Sequence, residues 1–200
     1  MPPTQPTLGR PESTSHAEIE QAAFRLFSER GFEGTTMSAI AEAVGVGRRT
    51  LFRYYASKND IPWGQFDETL TRFRELLEAS PPDLPLHLVV HRGVLAFNDF
   101  PEEARPTHRE RMHLILRTPA LQAHSALRNA QWRAVIAGYT AARYGLAPGD
   151  PLPTTVAHVW LALAHSAYEQ WLSDPQASLA QLLDVRMRIL RDHLQDLPPS

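Results

Sequence analysis

Four cations stand close together in the stretch VGVGRRTLFRYYASKND, residues 44–60: Arg48, Arg49, Arg53 and Lys58. No acid interrupts them before Asp60. The chemistry open to such a group is anion recognition. An arginine fork can pair with guanine O6 and N7, worth about 1–3 kcal/mol of discrimination per well-made contact. Arginine and lysine charge also neutralises phosphates and makes binding salt-dependent. Thr50 and Tyr54 carry hydroxyls suited to phosphate oxygens, which fix register. Thr36, upstream, can offer a hydroxyl and a backbone N–H to a further phosphate. The plainer alternative is a solvated basic face on a helical hairpin.

The chain around this stretch has 200 residues and a net charge of -2, so any nucleic-acid contact must use a local patch. Its 43% hydrophobic and 21% charged residues are an ordinary globular balance, with enough length for one large domain or two small ones. There is no cysteine, which excludes disulfides and thiolate metal sites and agrees with a cytoplasmic location. No apolar run approaches the ~18 residues that a membrane span needs, so no membrane partner is expected. The first residues, MPPTQPTLGRPESTSH, lack an apolar leader core, and residues 1–14 are expected to form a disordered arm.

What must position the cations is helical. Ser15 and Glu18 make a capping box, followed by Ile19, Ala22, Ala23, Leu26 and Phe27 on one face, with Gly31 as the stop. Thr36 can cap a short second helix, with Ile40, Ala41 and Val44 inward. Gly45 permits a tight turn. A third helix, about Arg48 to Tyr55, turns Leu51 and Tyr55 inward. Ser57 or Asn59 can cap a longer fourth helix ending near Ala79, and Pro62 favours the later cap. After the SPPDLP break, Asp83 can cap a fifth. Further helices are expected over Thr107–Arg117, from Thr118-Pro119 to a stop at Gly145, over Thr154–Leu172, and from Asp174-Pro175 to about Leu194. The expected fold is all-α with about nine helices. Residues 15–60 form an N-terminal three-helix helix-turn-helix domain, and residues 61–197 a C-terminal helical bundle. In a helix-turn-helix the second helix enters the major groove and its first residues meet base edges, here Arg48, Arg49 and Thr50.

The run AAFRLFSERGFEGTTMSAIAEAVGVGRRTLFRYYASKNDI resembles the N-terminal domain of TetR-family transcriptional regulators. The resemblance rests on Leu26-Phe27, Gly31-Phe32, Thr35-Thr36, Ile40-Ala41, Gly45-Val46, Thr50-Leu51, Tyr54-Tyr55 and Ser57-Lys58. Gly47 stands where many members have Ser, and Arg49 where many have Gly. Glycine caps a helix nearly as well, and the arginine pair points to a distinct operator. RRTLFRYYASKNDIPWGQFD, LAFNDF, RERMHLIL and SAYEQWL resemble the branch of that family associated with mycofactocin biosynthesis clusters. That resemblance implies a DNA-binding repressor, active as a homodimer on a double-stranded operator, with residues 61–197 as its ligand-binding and dimerisation domain, an acyl-coenzyme A as effector and no resident cofactor.

The residues themselves say less about the effector. Trp63, Phe97, Phe100, Met112, Leu116, Trp132, Ile136, Trp160 and Tyr168 supply apolar and aromatic surface for a pocket or for plain core. Arg105, Arg109, Arg111 and Arg117 could form a basic mouth for phosphates or a solvated helix face. The helices Thr154–Leu172 and Asp174–Leu194 carry more apolar surface than one core requires, so part of it is expected to face a second copy. His87 and His91, and His158 and His165, have helical spacings open to metal ligands, but no H-E-x-x-H accompanies them. His165 reads better as a buried polar group with hydrogen-bond partners. No nucleophile motif, glycine-rich phosphate loop or carboxylate pair argues for an enzyme. The remaining alternatives are a regulator answering to another hydrophobic molecule and a helical scaffold that does not bind DNA.

Overall fold

The computed structural model describes residues 14–101 and 103–195. The expected disordered arm therefore lies outside the described residues except for Thr14. That residue is buried, and its Oγ1 donates to the Glu18 carboxylate at 3.2 Å.

Among the described residues there are nine α-helices and one 3-10 turn. They are α1 (His16–Gly34), α2 (Met37–Ala43), α3 (Arg48–Tyr54), the 3-10 turn (Lys58–Trp63), α4 (Phe66–Glu78), α5 (Leu86–Phe97), α6 (His108–Arg117), α7 (Pro119–Tyr144), α8 (Pro151–Ser173) and α9 (Leu179–Gln195). The chain divides into two compact units between Gly64 and Gln65.

In the first unit both arms of the Ser15–Glu18 capping box form, with Glu18 N–H donating to Ser15 Oγ and Ser15 N–H to the Glu18 carboxylate. Gly31, at φ 74°, interrupts α1 before its last turn. Thr36 Oγ1 accepts from Ala39 N–H at 3.1 Å and starts α2. Gly45, at φ 69°, lets the chain reverse, and Val46 N–H closes the turn on the Ala41 carbonyl at 3.0 Å. Ile19, Ala23, Ile40, Leu51 and Ile61 fill the core. Val44, expected inward, is only half-buried.

The second unit is a bundle in which α7 packs on α8, α4 and α6, while α8 and α5 both pack on α9. Its α4–α5–α7 core is aromatic. Trp132 stacks on Phe73 with centroids 5.7 Å apart, and Phe97 sits edge-on to Trp132 at 6.3 Å.

Four helix starts differ from the sequence expectation. The single fourth helix is instead the 3-10 turn followed by α4. Gly64, at φ 56° and ψ −137°, leaves helical space, and Pro62 sits inside the short turn before it. Asp83 is not the cap of α5, which starts after Pro85, whose carbonyl accepts from Leu88 and Val89 N–H. The eighth helix starts at Pro151 rather than Thr154, because Asp150 Oδ1 accepts from Leu152 N–H at 2.9 Å. Asp174 spends its carboxylate on Gln176 N–H, which makes a turn, so the last helix begins only at Leu179.

Candidate nucleic-acid interface and effector residues

Helices α2 and α3 with the Val44–Gly47 turn form a helix-turn-helix. Arg48, Arg49 and Arg53 are exposed, as is Thr36, while Thr50 is half-buried. Gly47 is the N-cap of α3 and brings no side chain, so the first bulky groups at that end are the two arginines. The Arg48 guanidinium lies 5.4 Å from the Phe52 ring centroid, one helical turn on. Phe52 is 40% exposed on a helix whose inward side is Leu51. Its place on this face escaped the sequence reading, although its i+4 spacing from Arg48 signals it.

Two of the expected DNA contacts have other work. Tyr54 Oη donates to the Thr14 carbonyl at 2.5 Å, and its ring meets His16 edge-on. Lys58 Nζ donates to the carbonyls of Phe32, at 2.6 Å, and Thr35, at 2.9 Å, and lies 4.3 Å from the Phe32 ring centroid. These carbonyls belong to the end of α1 and the entry to α2. Lys58 is therefore a staple between α1 and α2, with at most one ammonium proton left for a phosphate. Tyr55 Oη donates to the buried Glu20 carboxylate at 2.5 Å and ties the end of α3 to α1.

Of the expected effector residues, Trp63 belongs to the first unit and the other nine to the second. Trp132, Ile136, Trp160 and Tyr168 are buried; Phe97, Met112 and Leu116 are half-buried; Phe100 is exposed. Arg109, expected at a phosphate-binding mouth, caps α8 instead. Its guanidinium donates to the carbonyls of Trp171, Asp174 and Ala177 and lies 4.2 Å from the Trp171 ring centroid. A cation on the last carbonyls of a helix is where the helix dipole favours it.

Tyr168 Oη donates to Asn98 Oδ1 and lies 2.8 Å from His108 Nε2. Phe100 stacks on the His108 ring, with centroids 4.1 Å apart, and Trp171 lies 5.6 Å from it. Burial, with Arg111 nearby, drops the His108 pKa to about 3, and burial pushes the Tyr168 phenol well above its ordinary value. Asn98, His108 and Trp171 were missed from sequence, because this cluster joins the end of α5, the start of α6 and the end of α8.

The other histidines are scattered. His91 Nε2 lies 3.1 Å from Asp184 Oδ1, and burial lowers its pKa against the pull of that carboxylate. His158 Nδ1 lies 2.7 Å from the Thr154 carbonyl. His165 Nε2 lies 3.4 Å from Asn129 Nδ2, and burial lowers its pKa while Glu169 opposes the shift. No group of three or more His, Cys, Asp or Glu among the described residues is arranged to hold a metal ion.

Residues 19–61 match the family model described as bacterial regulatory proteins, tetR family, and residues 84–195 match the MftR C-terminal domain. The chain belongs to the TetR family. A Mycobacterium tuberculosis protein provisionally named as the mycofactocin biosynthesis transcriptional regulator MftR is 44% identical over 90% of this chain and 91% of its own. Two solved TetR-type structures share the fold. Thermus thermophilus FadR, a transcriptional repressor in complex with lauroyl-CoA, has a TM-score of 0.54 at 21% identity, covering 93% of this chain and 97% of that one. SmeT, the repressor of a Stenotrophomonas maltophilia multidrug efflux pump, has a TM-score of 0.60 at 18% identity, covering 90% of each chain. The protein is thus a DNA-binding transcription regulator and not an enzyme. Its tetR-type match falls in the first unit and its MftR-type match in the second.

Proposed function

We propose that this regulator is a ligand-responsive repressor that binds a near-palindromic operator as a homodimer and leaves it when a hydrophobic effector, in the finer reading an acyl-CoA, occupies the second unit. The observation that carries the DNA half is the pair Arg48 and Arg49, exposed at the first residues of α3. Two such helices related by a two-fold require half-sites about one helical turn apart. A location in the cytoplasm, beside the DNA, goes with this reading, and among the described residues no helix is long and apolar enough to cross a membrane.

The homodimer is supported by apolar side chains left exposed on the last two helices: Leu152 and Val159 on α8, Val185 and Ile189 on α9. A four-helix isologous contact would cover them. Sedimentation at micromolar concentration tests this, and a monomer throughout would overturn it.

The acyl-CoA reading draws on the family branch and on the lauroyl-CoA held by FadR, a protein like this one in fold. Half-buried Phe97, Met112 and Leu116 suit an acyl chain. The capping role of Arg109 favours the second reading, a hydrophobic effector without coenzyme A, because it removes one cation from the phosphate mouth. Release follows by linkage: an effector that prefers a different arrangement from the one DNA prefers weakens DNA binding, and about 1–3 kcal/mol of coupling gives a 5–150-fold loss. The test is operator release and thermal shift with acyl-CoAs of varied length, free fatty acids and free coenzyme A. Stabilisation and release by long acyl-CoAs support the reading. Release by fatty acids alone moves it to the second.

A further inference from the structure

The cluster around Tyr168 fixes the position of every proton in it. Asn98 Nδ2 lies 2.7 Å from the Val94 carbonyl, which can only accept, so the amide nitrogen of Asn98 is the atom facing it. Asn98 Oδ1 then points to Tyr168 and accepts its hydroxyl proton. A phenol has one proton to give, so the Tyr168 oxygen meets His108 Nε2, 2.8 Å away, as an acceptor. His108 Nε2 must therefore carry the ring proton. The buried ring is neutral near pH 7, so Nδ1 is a bare lone pair. It is buried and has no hydrogen-bond partner among the described residues.

The surroundings select what can meet that lone pair. Phe100 stacks on the ring at 4.1 Å and Trp171 lies 5.6 Å from it, so apolar aromatic surface flanks the imidazole. Phe100 is itself 36% exposed, in the loop after α5. A carboxylate, ether or thioester oxygen has no proton to offer and would face the lone pair with its own. An ammonium would add positive charge beside Arg109, which lies over Trp171, and Arg111, which already disfavours charge on His108. What remains is a neutral O–H or N–H, from a water molecule or from a ligand that displaces it.

We propose that His108 Nδ1 is the polar anchor of the effector site and accepts a hydrogen bond from a neutral hydroxyl or amide N–H on an otherwise apolar effector, with Asn98 and Tyr168 acting as positioning residues that hold the ring in its accepting tautomer. The proposal rests on the reading of the second unit as the effector unit. Two sources carry the chemistry: the hydroxyl of an apolar alcohol, and the amide N–H of the pantetheine arm of an acyl-CoA.

The experiment uses the full chain with its nine histidines labelled with 15N. The His108 signals are assigned by their loss in His108→Phe and their movement in Tyr168→Phe. The protein is titrated with decan-1-ol, decyl methyl ether and decanoyl-CoA, while melting temperature and operator release are followed in parallel. The free protein should show the proton on His108 Nε2. Decan-1-ol or decanoyl-CoA should then move the Nδ1 signal, and whichever moves it identifies the source. The ether should leave Nδ1 in place and bind at least ~10-fold more weakly than the alcohol if the hydroxyl is the source, the fold-change expected for one buried hydrogen bond. Tyr168→Phe should loosen the tautomer and narrow any gap between alcohol and ether. A proton on Nδ1 in the free protein overturns the proposal, as does an Nδ1 signal that neither donor-bearing compound moves. Should any of the three compounds still release the operator in that case, the effector reading stands and only the role of His108 falls. If none of them stabilises the protein or releases DNA, both fall.

Discussion

Lys58 Nζ lies 2.6 Å from the carbonyl oxygen of Phe32 and donates to it. A second bond reaches Thr35 O at 2.9 Å. Charge-assisted bonds of this kind are worth about 1.5–3 kcal/mol. Lys58→Met should therefore lower the unfolding free energy by an amount in that range, read by urea denaturation. It should weaken operator binding at every salt concentration while leaving the salt slope unchanged. A slope that flattens by about one unit, with stability intact, would return Lys58 to the phosphate contacts.

Gly93 lets α5 approach α4 closely. A methyl group there would lie 2.7 Å from Leu77 Cδ2 and 2.8 Å from Phe73 Cε2. Both side chains are buried, and Phe73 is pinned against Trp132. Gly93→Ala should cost about 1–3 kcal/mol through overpacking, against the gain that alanine usually brings to a helix. Thermal denaturation checks the sign: an unchanged or raised melting temperature would contradict this packing.

Burial holds His91, His108 and His165 below the ordinary histidine value of 6.5, His108 at about 3. Each takes up a proton more readily in the unfolded chain than in the folded one. Their stabilising contribution is complete above pH 6.5 and is withdrawn as the pH falls toward the folded values. Between pH 6.5 and 5 the unfolding free energy should fall by up to about 1.4 kcal/mol per pH unit for each proton difference. His108→Phe should flatten that slope by one proton. Stability that is constant or rising as pH drops through this window would contradict the assignment. Staying above pH 5 keeps Glu18 and Glu110, whose capping bonds hold their pKa values low, out of the measurement.

Arg109 binds the end of α8 through a planar fork and a face-on contact with Trp171, and lysine can reproduce neither in full. Arg109→Lys should be destabilised by roughly 1 kcal/mol and Arg109→Ala by more. Neither should change any affinity for free coenzyme A, measured by calorimetry. A selective loss of coenzyme A binding without loss of stability would put Arg109 back at a phosphate mouth.

The helix-turn-helix was legible because its signals are local. Ser15 with Glu18, Thr36 and Gly45 each act within a few residues, and the structure uses them as read. Helix starts were misjudged where two local signals compete: Pro62 tolerates a helical turn that Gly64 then ends, and Asp174 prefers a turn to a cap. The His108 cluster was not legible at all. Its hydrogen bonds join residues 60 and 70 positions apart, and no spacing rule connects them. The same holds for Lys58 and Arg109. Sequence marks each as a cation on a helical stretch, whereas its carbonyl partners, supplied by other helices, are set only by packing.

If the exposed start of α3 reads duplex DNA, its arginines must discriminate between sequences. Selection of tight binders from a random duplex pool, followed by salt-titrated anisotropy of wild type and Arg49→Ala on the selected site, tests it most directly. A dimer that docks two α3 helices predicts a near-palindromic site with half-sites about one helical turn apart. It also predicts that Arg49→Ala loses about 1–3 kcal/mol of preference for that site over a scrambled duplex. No enriched site, or an Arg49→Ala variant that keeps wild-type affinity, preference and salt slope, would contradict it.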